Sequence, residues 1–355
     1  MIAIYATNPP LALRFAPRSA PHRSYPAPLT FAGTLSTPVT RLASAVRLPT
    51  AIRVAAGAAL VAGIAAPLVR RRLKLPPLVV TATAALAPFA LCVLVPRSRA
   101  RDVGTCVLQM WAYVATYEMP NDDPEALVAR VKVAYPVRAD KAIGLGTTPT
   151  LRLQRALATP GSFRTWEKLL VWSHWLWFLF PHGTVAYLLL RRPEHFPRGA
   201  AQVYATFDIG LIGYWAIPTA PPWYAAAQGL MDDGRTPELR RMMVEYGEQF
   251  WKSGWAPLYG FLGGNPLAAM PSLHFATSVT AAHVLTDSRA PAAPLAWAYA
   301  ATLGTALVYP GEHYVVDLAA GLALAEGVRR GTPAATPLVR GVSSAVRFLE
   351  RRARG

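Results

Sequence analysis

His274, His313 and Asp317 are the residues of this 355-residue chain whose types and spacing fit a reaction. His313 and Asp317 are four apart in GEHYVVD, so a helix that has begun by then puts them on one face. There the carboxylate can accept a hydrogen bond from one imidazole nitrogen and hold the ring in one tautomer. The other nitrogen then carries an outward lone pair and is a nucleophile. His274 follows Pro271 and Ser272 at the head of an apolar run. The proline suits the first turn of a helix and the serine suits a cap. A second histidine on the same face can protonate a leaving alkoxide. Two such imidazoles meet the needs of phosphoryl transfer, which also calls for cations around the equatorial oxygens. The spacing requires no metal, and no cofactor is expected.

The elements between these residues must bring them to one face. Apolar stretches run over about 54–69 and 78–95, with a weaker one at 103–117. Five strong ones follow, at about 167–190, 201–219, 270–287, 292–309 and 314–328. Each of the five approaches the ~20 residues that cross a bilayer. One inward and one outward crossing separate His274 from His313, so both emerge on the same side. The expectation is an all-α, polytopic membrane helical bundle of seven or eight spans, depending on whether 103–117 crosses. Arg41, Arg47, Arg53 and the cluster Arg97–Arg101 favour eight, while RRRLK at 70–74 argues the other way. Parity puts Arg191–Arg198, Arg289 and the basic C-terminus on one side, which the positive-inside rule makes cytoplasmic. The polar segments 118–165 and 224–269 then face outward, together with the histidines.

Composition agrees with a membrane protein. Hydrophobic residues make up 53% and charged residues only 15%, against about a quarter in a typical soluble domain. The net charge of +17 comes from clusters beside apolar runs, so nucleic acid is not expected as a partner; the bilayer and a membrane lipid substrate are. Two cysteines, Cys92 and Cys106, give neither a disulfide framework nor metal-site spacing. The predicted organisation is a disordered cytosolic tail over 1–48, a membrane hairpin over 49–102, a catalytic membrane core over 103–330 and a basic cytosolic tail over 331–355. The predicted place is the plasma (inner) membrane, multi-pass, with the active site on the extracytoplasmic face. Leu151–Leu157 is amphipathic and suits a position along the membrane surface.

PSLH at 271–274 and HYVVD at 313–317, with a span pair between, resemble the second and third signature motifs of the type 2 phosphatidic acid phosphatase superfamily. AIPTAPPWY at 216–224 resembles a stretch of its inositol phosphorylceramide synthase branch. The resemblance covers about residues 166–330. It implies a six-helix core, a phosphohistidine intermediate at His313, His274 as acid, and no metal. Superfamily phosphatases carry a Ser-Arg pair six to seven residues before the third-motif histidine, where this chain has Ala306 and Leu307. The usual first motif is absent too. Both departures fit the synthase-like branch better.

Other cations must then serve the phosphate, and Arg240, Arg241 and Lys252 of the outward segment are the candidates, with a solvated helix face as their alternative reading. Ser272, Asn265, Trp223 and Tyr224 complete the expected substrate-binding set. Trp215, Trp223, Trp255 and Tyr259 flank the segment and fit an interfacial aromatic belt or a headgroup pocket. His174, His182, His283 and Asp208 lie inside expected spans, where ionisable groups need partners. Depth counting makes His182 and Asp208 a candidate pair and puts His283 too deep for catalysis. Three functions remain open: a lipid phosphotransferase, with inositol phosphate as one candidate for the group moved; a phosphatase of a polyprenyl or other lipid phosphate; and a non-catalytic carrier or scaffold on the same fold.

Overall fold

The computed structural model describes residues 38–231, 239–262 and 264–355. The described chain is helical, with isolated bridges Lys132–Thr219 and Thr219–Ala268 in place of any strand. In order the helices are α1 (Pro38–Leu73), α2 (Pro77–Leu94), α3 (Arg99–Glu118), α4 (Pro124–Arg130), α5 (Ala134–Ile143), α6 (Pro149–Leu157), α7 (Thr165–Leu176) and α8 (Phe180–Arg191). They continue with α9 (Phe196–Ala216), α10 (Pro222–Ala227), α11 (Met242–Trp251), α12 (Trp255–Leu262), α13 (Leu273–Asp287), α14 (Ala293–Val308) and α15 (Val315–Arg354).

Among the described residues, Leu48–Leu73 and Pro77–Leu94 are helical stretches long and apolar enough to cross a membrane, and α14 is apolar but shorter. The expected span over 167–190 is broken in two. Pro181 lies in the first turn of α8, where it has no N–H to give and its ring excludes the carbonyl four residues back. The chain turns tightly there, with the N–H groups of Trp177 and Phe178 reaching the carbonyls of His174 and Trp175. The expected tail at 331–355 instead continues α15 to Arg354. Its end rests on the first two helices: Ala353 joins Ala56, Ala90 and Val93, and Arg101 pairs with Glu350 at 3.0 Å. Part of the tail expected at 1–48 is likewise helical from Pro38, and residues 1–37 lie outside the described residues.

α13 is the central helix and packs on α8, α9, α14 and α15. Two glycines let neighbouring helices come close to the head of α13. A Cβ on Gly321 of α15 would lie 2.6 Å from the Ser272 carbonyl oxygen, and one on Gly210 of α9 would lie 2.4 Å from the Leu273 side chain. Only hydrogen at these positions lets both neighbours meet the head of α13.

The expected pairing of His182 with Asp208 does not form. Asp208 accepts from Gln109 of α3 at 2.9 Å through both oxygens, beside a groove of about 740 Å³ between α2, α3 and α9. His182 lies parallel to Phe207, with ring centroids 5.7 Å apart. The two side chains face different neighbours. His283 pairs with Glu326 of α15 at 2.8 Å, away from the other histidines.

Candidate active site

The head of α13 and the head of α15 meet side by side. Ser272 caps α13, its hydroxyl accepting from the Phe275 N–H, and its own N–H donates to the Asp317 carbonyl at 3.0 Å. Pro271 therefore precedes the cap instead of opening the first turn as expected. Ser272 is fully buried and acts as a cap and a tie between two helices.

Asp317 sits in the first turn of α15. Its Oδ2 accepts from the Tyr314 N–H at 2.9 Å and from His313 Nδ1 at 3.2 Å. His313 Nε2 lies 3.3 Å from His274 Nδ1. The tautomers follow from this row. With the Nδ1 hydrogen of His313 given to Asp317, Nε2 carries a lone pair, so the hydrogen between the two rings belongs to His274. His313 and Asp317 are buried, and Asp317 Oδ1 has no hydrogen-bond partner.

A second carboxylate, absent from the expected set, shares this helix head. Asp140 of α5 accepts from the N–H groups of Val315 and Val316 at 3.3 and 3.0 Å. It satisfies donors that a helix start leaves free, and its charge suits the positive end of the helix dipole. Burial, and then the charge of Asp317, push the Asp140 carboxyl up to about 6 against those two bonds. Gln154 of α6 fastens the loops around the site, donating to the carbonyls of Tyr309 and Arg240 and accepting from the Arg240 N–H.

The chain's similarity to known proteins bears on this row of side chains. The profile of the PAP2 superfamily matches residues 137–328, more than half of the chain, and spans all of His274, His313 and Asp317. This chain belongs to the PAP2 superfamily. It is also similar to the phosphoinositol dihydroceramide synthase of Bacteroides thetaiotaomicron, with 31% identity over 119 residues. That alignment covers 33% of this chain and 39% of the relative, so the chain spans about two-fifths of the relative's length. No solved structure matches.

The expected cations are placed unevenly. Arg240 spends its guanidinium on Glu245 at 2.7 Å and on the carbonyls of Thr159 and Ser162, with Phe163 beneath it. Arg241 is stacked 3.9 Å from the Trp223 ring centroid, donates to the Tyr259 hydroxyl and pairs at 3.4 Å with Glu312, the residue before His313. Burial alone would lower the pKa of Arg241, but Glu312 and Tyr259 outweigh it and the pKa is raised. Burial raises the Glu312 carboxyl, opposed by Arg241. Lys252 is exposed at the end of α11, with a φ of 50°. Trp223 therefore serves as the platform for Arg241, while Tyr224 packs beside Leu127, Ala220 and Leu267. Asn265 is buried in its turn, its Oδ1 accepting from the Leu267 N–H and its Nδ2 unpartnered. Ala306 and Leu307 are fully buried in an apolar cluster. Among the described residues, no three His, Cys, Asp or Glu side chains form a metal-ligand group.

Proposed function

We propose that this protein is a lipid phosphotransferase that carries a phospho-headgroup on His313. The observation that carries the reading is the row Asp317–His313–His274, with contacts of 3.2 and 3.3 Å. Asp317 holds the hydrogen on Nδ1 of His313, and the Nε2 lone pair attacks phosphorus. The bond from phosphorus to the lipid oxygen breaks, and His274, protonated on both nitrogens at this stage, gives its Nδ1 proton to the departing alkoxide and becomes the neutral imidazole. An acceptor hydroxyl then attacks the phosphohistidine, its proton goes to His274, and His313 is released. In the resting state His274 occupies the lone pair of His313, so the phosphoryl group takes the place of that hydrogen bond.

Arg241 is the cation best placed for the phosphate, because its Glu312 partner adjoins the nucleophile. The synthase-like relative supports inositol phosphate as the transferred group and a ceramide-type lipid as one partner. Asp140 ties the 118–165 segment to the head of α15, which supports one outward face for both. The antiparallel run of α1, α2 and α3 supports eight crossings, with α7 and α8 counted together and the Arg-rich ends of α8 and α15 in the cytoplasm. Exposed Val54, Val61, Leu68, Ile212 and Leu295 suit helix faces turned to lipid.

The test is purified protein with radiolabelled phosphatidylinositol, with and without a ceramide acceptor, and with and without EDTA. Label moved to ceramide through an acid-labile phosphoprotein, unaffected by chelation, supports the reading. Label released as free inositol phosphate or phosphate regardless of acceptor points to the hydrolase. No turnover with any lipid phosphate points to a carrier, and activity restored only by a divalent ion overturns the metal-free mechanism.

A further inference from the structure

The α7–α8 break brings a third imidazole to the site. His174 meets His274 edge to face, with ring centroids 4.7 Å apart and planes at 85°. Trp177, at the break itself, lies 4.1 Å from the same ring at 51°. Its indole N–H donates to the Thr277 hydroxyl at 2.9 Å, so Trp177 is anchored to the helix that carries His274. His313 stands on the remaining side at 5.4 Å. His274 is thus held by one ring from α7, one from the break after it, and the head of α15. Three aromatic contacts leave its plane little freedom, and the plane sets where its Nδ1 hydrogen points.

His174 has a second property. It is 5% exposed, and its Nδ1 is buried with no hydrogen-bond partner. A buried polar atom left unpaired is unfavourable for folding. His174 therefore adds little to stability as an imidazole. Its visible contribution is the ring edge set against His274.

We propose that His174, together with Trp177, is a positioning residue for the reaction. The pair fixes the plane of His274 so that its proton lies on the line of the leaving oxygen once the phosphoryl group has taken the His313 lone pair. The inference rests on the proposed roles of His313 and His274. Loss of the clamp leaves the nucleophile intact and misdirects the acid. The damage should therefore grow with the basicity of the leaving group, since a good leaving group needs little protonation.

The experiment uses the full chain in detergent and two donors of the same group: phosphatidylinositol, with an alkoxide leaving group, and nitrophenyl phosphoinositol. The phosphoenzyme is trapped and its rate of formation is measured for wild type, His174→Ala, His174→Phe and Trp177→Leu. His174→Ala and Trp177→Leu are expected to slow the alkoxide donor by about 10- to 100-fold and the nitrophenyl donor by less than about 3-fold. His174→Phe keeps an aromatic edge and removes the unpaired nitrogen. It should retain the wild-type melting temperature and most of the alkoxide rate. Equal losses on both donors, or a phenylalanine variant as impaired as the alanine one, would overturn the inference and leave the nucleophile assignment standing. A wild type that forms no phosphoenzyme from either donor would overturn the proposed function and this inference together.

Discussion

The junction of α13 and α15 and the segment at 239–262 both entered as phosphate-handling regions, and they are built in opposite ways. At the junction, polar groups converge: a carboxylate, two imidazoles and a capped helix start stand in hydrogen-bond contact. In the segment, charge is already neutralised, with Arg240 on Glu245 and Arg241 on Glu312. A count of cations in a sequence therefore overstates the positive potential that reaches a substrate. What separates the two arginines is the partner: the carboxylate paired with Arg241 belongs to Glu312, next to His313, the proposed nucleophile, and that paired with Arg240 is Glu245 on α11.

The largest effect expected from this contrast is at the junction. His313→Ala should abolish turnover and remove the acid-labile phosphoprotein signal. Labelled phosphate still trapped on that variant would place the nucleophile elsewhere. Gly321→Ala comes next. The added methyl would meet a backbone carbonyl at 2.6 Å, so α15 must withdraw from α13. Overpacking of this kind costs about 1–3 kcal/mol, and a 1 Å shift between reacting groups can cost about 10²-fold in rate. Melting temperature and specific activity measured together would show it; unchanged activity would mean that the junction tolerates sliding.

The arginines give a smaller, divided effect. Arg241→Ala should lower kcat/KM by about 10- to 100-fold, the scale of one lost charge-assisted hydrogen bond. Arg240→Ala should reduce stability and leave the activity of the folded fraction within about 3-fold, because its contacts are to loops and Glu245. Equal kinetic losses at both sites would erase the distinction drawn between them.

The legibility of these regions follows from how local each signal is. His313 and Asp317 are four apart, although the helix has not begun at His313, which lies before the Tyr314 cap of α15, and the Ser272 cap lies two residues before His274, so both could be read from short windows. The mutual approach of the histidines depends only on the antiparallel helix pair α13 and α14 between them. Facing is a different matter. His182 and Asp208 were matched by depth, but rotation about each helix sends one to Phe207 and the other to Gln109. The break at 177–179 was signalled by Pro181, yet hydropathy alone ran across it. His174 reads in the sequence as an ionisable group in need of a partner, and its neighbour is the His274 ring, a contact that carries no charge pattern to search for.

Asp140 is the clearest case of an illegible residue, and it supports the last prediction. It bonds to backbone N–H groups 175 and 176 positions away, so no side-chain partner exists for a pattern to find. Its acid is pushed up to about 6, above the ~3.9 of an unfolded chain. Between those values the folded protein binds the extra proton, so this residue's contribution to stability falls as pH rises from about 4 to about 6 and is level above that. Asp140→Asn removes the titration and leaves one N–H facing an amide NH₂ group, a loss of about 1–3 kcal/mol. The variant should therefore melt well below wild type near pH 4, and the gap should narrow on the way to pH 7. Because the substitution acts on the head of α15, it should also slow phosphoenzyme formation by about 10-fold with either leaving group, unlike the His174 variants. Melting curves of both proteins in detergent at pH 4, 5, 6 and 7, beside trapping rates at pH 7, make the comparison. A gap that stays constant with pH would mean that Asp140 is ionised throughout, and that the head of α15 is held by charge alone.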